Sequence, residues 1–171
     1  MNLTFSFYPQ RDQYDCGATC LRMVAKHYGK SFTPERLRQL TDTTREGTSL
    51  LGIAEAAEQM GFRTLAVKVS VEKLLEDAPL PCILHWNQNH FVVLYATDST
   101  NFHGLLGWFK GKEWLRSKQH FHIADPAHDL VTLTQAEFIS QWIGNSATEK
   151  TEEGIALLLE PTEQFYAQES E

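Results

Sequence analysis

The amino-acid sequence predicts an α+β fold in which N-terminal helices pack on a mostly antiparallel β-sheet. Three observations carry this reading. Between residues 16 and 60 apolar side chains recur at three- and four-residue steps, the pattern of amphipathic helices. From Phe62 onward the texture changes to short alternating or continuously apolar runs, the pattern of strands. The runs at 82–86 and 91–95 are joined by a tight polar turn, which makes an antiparallel pair. Helices first and strands afterwards, without an internal repeat, is the α+β order.

Each element follows from a local signal. Met1 to Tyr8 alternates loosely and reads as a short strand or an extended arm, broken by Pro9. The first helix runs from Cys16 to Tyr28 through Ala18, Leu21, Met23, Val24 and Ala25, and Gly29 stops it. Asp15 suits its N-cap, because a carboxylate there can accept from the free amides of the first turn. Thr33 as N-cap with Pro34 in the first helical position starts a second helix, over Pro34 to Leu40. A third begins after Ser49, follows Leu50, Ile53, Ala54, Ala57 and Met60, and ends at Gly61.

Phe62 to Val69 alternates as a strand, and Ser70 caps a short helix over Val71 to Asp77. Cys82 to Trp86, Phe91 to Tyr95, His120 to Asp125 and Leu130 to Leu133 are further strands. Thr134 begins a helix through Phe138 and Trp142. Gly154 to Glu160 is almost continuously apolar and is therefore expected inside the sheet. This assigns 1–160 to one domain, with 99–119, rich in Gly, Trp and basic residues, as a surface insertion. Residues 161–171, polar and acidic, read as a linker or tail.

Composition narrows the function. A chain of 171 residues is long enough to bury a real core in one domain. A net charge of −7 argues against general nucleic-acid binding. Three cysteines, odd in number and unpatterned, suggest a reducing compartment. Met1 to Pro9 lacks the basic head and apolar run of a signal peptide. No stretch approaches the ~20 apolar residues that span a bilayer. The piece is expected to be soluble and cytoplasmic.

The chemistry centres on Cys16. At the opening of a helix, the positive end of the helix dipole favours thiolate over thiol. Cys20, one turn deeper, and Cys82, inside an apolar run, read as small core hydrophobes. A cysteine nucleophile needs an imidazole beside it and a group to hold that imidazole. His90 is the best base of the seven histidines, since it opens a strand at the end of a tight polar connection. Asp125 is the best orienting group, closing a neighbouring strand just before Pro126; its plainer reading is a turn residue. His27, His85, His103, His120, His122 and His128 read as surface or strand residues. Gln10, six positions before Cys16, offers an amide that could join the Cys16 backbone N–H in holding an oxyanion. Gln13 is a rival by proximity, and the residues alone do not choose between them. A zinc site at Cys16 and Cys20 lacks a second ligand pair, so neither metal nor cofactor is expected.

Three motifs then carry a resemblance. Gln10-x-Asp12-x-x-Asp15-Cys16-Gly17-Ala18-x-Cys20, Asn89-His90-Phe91-Val92-Val93-Leu94 and Ile123-Ala124-Asp125-Pro126 occur in the order found in the double-glycine leader peptidases. Over residues 10–160 the chain resembles these papain-like cysteine peptidase domains of bacterial peptide-exporting ABC transporters, which process bacteriocins. The resemblance implies a papain-like fold, with Cys16 as nucleophile, His90 as general base and Asp125 as orienting carboxylate. It implies Gln10 rather than Gln13 as the oxyanion residue. It also implies a precursor peptide cut after Gly-Gly, through a glycine-only subsite and an apolar groove for an amphipathic leader helix. The domain would be monomeric and would face the cytoplasmic side of the bacterial cell membrane. Transmembrane and ATPase portions of the transporter would follow in the same full-length chain, although no nucleotide-binding Gly-x-x-x-x-Gly-Lys-Ser/Thr loop occurs here. One departure is the length between His90 and Asp125, which family members cross by a short connection. Two further readings remain: a non-cleaving docking domain that recruits cargo peptides, which such domains lacking the nucleophile suggest, and a papain-like acyl transferase or deamidating enzyme.

Overall fold

The computed structural model describes residues 4–87, 90–98, 119–144 and 152–169. Among these, six helices accompany one six-stranded sheet. The helices are α1 (Cys16–His27), α2 (Pro34–Leu40), α3 (Leu50–Gln59), α4 (Val71–Asp77), α5 (Gln135–Trp142) and α6 (Glu163–Ala167). The strands are β1 (Phe62–Ser70), β2 (Cys82–Trp86), β3 (His90–Asp98), β4 (His120–Ala124), β5 (Leu130–Thr134) and β6 (Glu153–Pro161). The order across the sheet is β1-β6-β2-β3-β4-β5, and every neighbouring pair is antiparallel. This is the expected α+β architecture. Asn89 and the expected insertion over 99–119, Gln119 apart, lie outside the described residues.

The helix starts follow the chemistry of their caps. Thr33, Ser49 and Ser70 accept from the backbone N–H groups of Arg36, Gly52 and Lys73, satisfying amides that have no intrahelical acceptor. Thr134 and Glu137 form a reciprocal capping box at α5. Asp15 is different. It stands at the N-cap of α1, but its side chain makes no capping bond. Its carboxylate instead accepts from Arg38 Nε and Nη2 at 2.5 and 2.7 Å, so the expected cap is replaced by a tie to α2. A bidentate guanidinium at a buried carboxylate outcompetes a single amide bond.

The sheet has helices on both faces, which explains its apolar strands. On β2, Cys82 and Leu84 face Val71, Leu74 and Phe138 from α4 and α5. The alternate residue Ile83 joins Val93, Leu157 and Leu159 beneath α1 and α3. With both faces covered, β2 and β6 lose the polar alternation of half-exposed strands. Phe121 and Phe138 stack at 4.0 Å between ring centres, and both are fully buried. Such burial contributes roughly 1.5–3 kcal/mol per side chain.

The ends of the domain are held by aromatic packing. Of the N-terminal segment, the described residues 4–10 form no strand and make an arm, with Phe5 stacked on Tyr95 at 4.6 Å. The C-terminal reading needs correction. Beyond β6 the chain turns into α6, whose Phe165 is fully buried against Phe62 at 4.5 Å. Thr162 fastens the turn by donating from its N–H and hydroxyl to the Gly61 carbonyl. At Gly61, with φ +93°, a Cβ would lie 2.3 Å from the Phe165 nitrogen, so glycine permits the contact. Residues 162–167 are thus part of the fold. Among the described residues no helix is long and apolar enough to cross a membrane.

Candidate active site

The site assembles where α1, β3 and the end of β4 meet. Cys16 is the first residue of α1 and is 7% exposed. His90 is the first residue of β3 and pairs with Trp86, the last residue of β2. Asp125 follows β4 directly, and β4 pairs with β3 in a register that sets Ala124 opposite Val93. The next positions along that ladder bring Asp125 towards the start of β3. His90 Nε2 meets Asp125 Oδ1 at 2.7 Å, which leaves Nδ1 as the ring nitrogen for the thiol. Cys16 lies close enough to His90 to act on the charge of its ring. The sequence places these three 74 and 35 positions apart, and the fold puts them in one chain of contacts.

The electrostatics of the pair agree. Burial disfavours the charged imidazolium of His90. The Asp125 hydrogen bond and the influence of Asp125 and Cys16 on the ring's charge outweigh it, and the pKa is pushed up to about 9. Burial also works against the Asp125 carboxylate. Hydrogen bonds from His90, the Ala127 N–H and His128 overcome it, holding the carboxyl below its ordinary 3.8. Cys20 and Cys82 contrast with this setting. Both are fully buried, and desolvation raises both thiols, Cys82 to about 12. They are core residues, as expected. All three cysteines are free.

The two glutamines part company. The Gln10 backbone N–H donates to the Pro126 carbonyl at 2.8 Å, tying its segment to the turn that carries Asp125. Its Oε1 is buried and has no hydrogen-bond partner among the described residues. Gln13 is exposed, and its amide donates to the Tyr14 hydroxyl at 2.5 Å. A cleft of about 720 Å³ opens at Cys16 and continues past Tyr14, Leu50, Leu51, Phe91 and Ile155, with Gln13 on its wall. Leu51 is 66% exposed there, an apolar surface available to a ligand.

Two contributors were not apparent from sequence. Arg38 anchors Asp15, the residue before Cys16. His128, read as a surface residue, has its Nδ1 2.9 Å from Asp125 Oδ2. The signal for His128 was its position three residues beyond an Asp-Pro turn. Among the described residues no group of three or more His, Cys, Asp or Glu is arranged to hold a metal ion.

Comparison with known proteins places this geometry. Residues 4–103 match the model of the Peptidase C39 family. The lactococcin-G-processing and transport ATP-binding protein LagD of Lactococcus lactis subsp. lactis is 38% identical over 141 residues, 79% of this chain and 17% of the relative. The transport/processing ATP-binding protein ComA of Streptococcus pneumoniae is 33% identical over 81% of this chain and 18% of its own. The chain therefore spans less than a fifth of the length of these relatives. Among solved structures, a double glycine motif protease from an AMS/PCAT transporter, in complex with the leader peptide, superposes with a TM-score of 0.71. It is 30% identical, over 93% of each chain. The peptidase domain of Streptococcus ComA gives 0.69 at 27% identity, over 93% of this chain and 100% of that one. The family match covers more than half of the sequence, and the likeness in structure extends over nearly all of it: the chain belongs to the Peptidase C39 family.

Proposed function

We propose that this domain is a cysteine endopeptidase that removes the leader of a precursor peptide by cutting after Gly-Gly, as the peptidase portion of a peptide-exporting ABC transporter. The observation that carries the reading is the His90–Asp125 hydrogen bond beside Cys16 at a helix start. The names of the matched relatives support the transporter, and the leader-bound protease supports the substrate. Transmembrane and ATPase portions would lie C-terminal to this domain, which would work on the cytoplasmic side of the membrane.

In this mechanism the Cys16 sulfur attacks the carbonyl carbon of the second glycine, and the carbonyl oxygen becomes an oxyanion. The Gln10 amide and the Cys16 backbone N–H hold that oxygen. Collapse of the intermediate breaks the C–N bond, and the His90 imidazolium gives its proton to the departing amine. A thioester between Cys16 and the leader remains. Water, losing a proton to His90, attacks it and releases the leader carboxylate, with the sulfur as leaving group. Asp125 keeps its charge throughout and holds the ring. Gln10 is favoured over Gln13 because its segment is fixed to the Asp125 turn, while the Gln13 amide is spent on Tyr14.

The test is mass spectrometry and kinetics of the domain with several double-glycine leader peptides. Cleavage after Gly-Gly is expected from the parent and none from Cys16→Ala. Gln10→Ala should lower kcat by about 10²–10³-fold, the usual loss for an oxyanion donor, and Gln13→Ala should change it little. Cutting by Cys16→Ala, or no cutting across the set, would overturn the proposal. A larger loss at Gln13 would reverse the oxyanion assignment.

A further inference from the structure

We infer that His128 is a positioning residue for the thiol–imidazole–carboxylate system, acting through the second oxygen of Asp125. The two carboxylate oxygens are held differently. Oδ1 accepts from His90 Nε2 at 2.7 Å and from the Ala127 N–H at 2.9 Å. Oδ2 is bonded, among the described residues, by His128 Nδ1 at 2.9 Å. An aspartate carboxylate rotates about a broad, roughly two-fold torsion. Bonds at one oxygen locate that oxygen and leave the plane free to tilt. A donor at the other oxygen fixes the plane, and with it the line along which Oδ1 presents its lone pair to His90.

The turn is built to deliver that donor. Asp125 N–H donates to the Asp129 carbonyl and His128 N–H to the Asp125 carbonyl, both at 3.0 Å. These two backbone bonds close the turn without any help from the imidazole. They set residue 128 over the carboxylate at residue 125, and the His128 side chain is otherwise 76% exposed. A ring so exposed buries little apolar surface, so packing does not explain its placement. Its bond to a carboxylate shielded to 13% exposure does. The same turn accepts the Gln10 N–H at Pro126, so the plane of Asp125 is fixed against the segment that carries Gln10.

The inference rests on the peptidase reading for its cleavage assay only; a second assay needs no substrate. His128→Ala removes the donor. His128→Asn restores one, because the Asn amide nitrogen occupies the place of the imidazole Nδ1. At pH 7 the rate of Cys16 alkylation by iodoacetamide, which reads the paired thiol directly, should fall about three- to tenfold in His128→Ala, the weight of one ordinary net hydrogen bond from an exposed donor. His128→Asn should stay within about twofold of the parent. On a cleaved leader peptide, kcat should follow the same order with KM unchanged, and the thermal midpoint should hold in both variants. Equal alkylation rates in all three proteins would overturn the inference, as would equal losses in the Ala and Asn variants. A change confined to KM, or a fall in thermal midpoint matching the rate loss, would also overturn it. If no leader is cleaved by the parent, alkylation alone decides, so failure of the substrate reading stays distinct.

Discussion

Replacing Arg38 by methionine should destabilise the domain by about 2–3 kcal/mol, and the reason lies one residue before Cys16. The Asp15 side chain is 5% exposed, and its two oxygens accept from Arg38 at 2.5 and 2.7 Å. Removing one partner of a buried ion pair costs about 3–5 kcal/mol, because the other charge stays desolvated. Two features reduce that figure here. Arg38 is 43% exposed, so water already shares its charge. Asp15 also stands at the start of α1, where the helix dipole gives an anion roughly 0.3–1 kcal/mol of compensation. For a domain of this size the remaining loss lowers the thermal midpoint by about 5–10 °C. The informative comparison is the double variant, Arg38→Met with Asp15→Asn. Asparagine is uncharged and a good N-cap, so it can bond the first-turn amides that Asp15 leaves alone. Urea denaturation of the parent, both single variants and the double variant gives the coupling. The double variant should regain at least about half of the loss of Arg38→Met, since the buried charge is gone. Losses that simply add, or a cost for Arg38→Met below about 0.5 kcal/mol, would refute the claim that this pair governs the entry into α1.

Two other outcomes follow from the geometry. Folding raises His90 from 6.5 to about 9, so its charged form contributes stability in full below pH 6.5 and loses it as pH rises through about 9. Asp125 works in the opposite sense: its contribution is present above its ordinary 3.8 and is lost as pH falls through its depressed folded value. The urea-midpoint gap between the parent and His90→Gln should therefore narrow from pH 6 to pH 10, and cleavage should decline above about pH 9; a constant gap would contradict the ion pair. At the C-terminus, Phe165→Ala should cost about 3–5 kcal/mol, as for other fully buried aromatics, and truncation after Glu160 should cost at least as much. Wild-type stability in the truncated domain would restore the linker reading.

The strands and helices were legible because their signals are local. Thr33-Pro34, Ser70 and Thr134 announce helix starts through bonds made within four residues, and these caps form as expected. The almost continuously apolar run 154–160 likewise marked a strand inside the sheet, where it lies between β1 and β2. The failures share one cause, competition from a partner distant in sequence. Asp15 had an acceptable local role as a cap, but Arg38, 23 positions away, offered a bidentate one. Phe165 is one of two adjacent aromatics in a polar acidic stretch, and a five-residue helix is too short to show an apolar face. Its burial depends on a recess between Phe62 and Tyr28 and on the close approach at Gly61.

The candidate site divides along the same line. Cys16, His90 and Asp125 could be found because each lies at the end of an element, where a side chain can leave the packed core and reach a cleft. What positions them could not, because that work is done by the turn 125–129, and a turn announces only its own shape. Asp-Pro signals a reversal of the chain. It does not reveal that the reversal presents a carbonyl to Gln10, an amide to one carboxylate oxygen and a histidine to the other. Each of those bonds has an ordinary energy, and none would stand out in a stability measurement. Their effect is geometric. One small loop is bonded at once to the segment of Gln10 and to His90, so a displacement of that loop moves the Asp125 carboxylate and the oxyanion candidate together. A substitution within 126–129 that breaks one of these bonds should therefore impair alkylation of Cys16 and turnover of peptide in proportion, whereas a substitution on the apolar wall of the cleft, such as Leu51, should alter KM and leave alkylation unchanged.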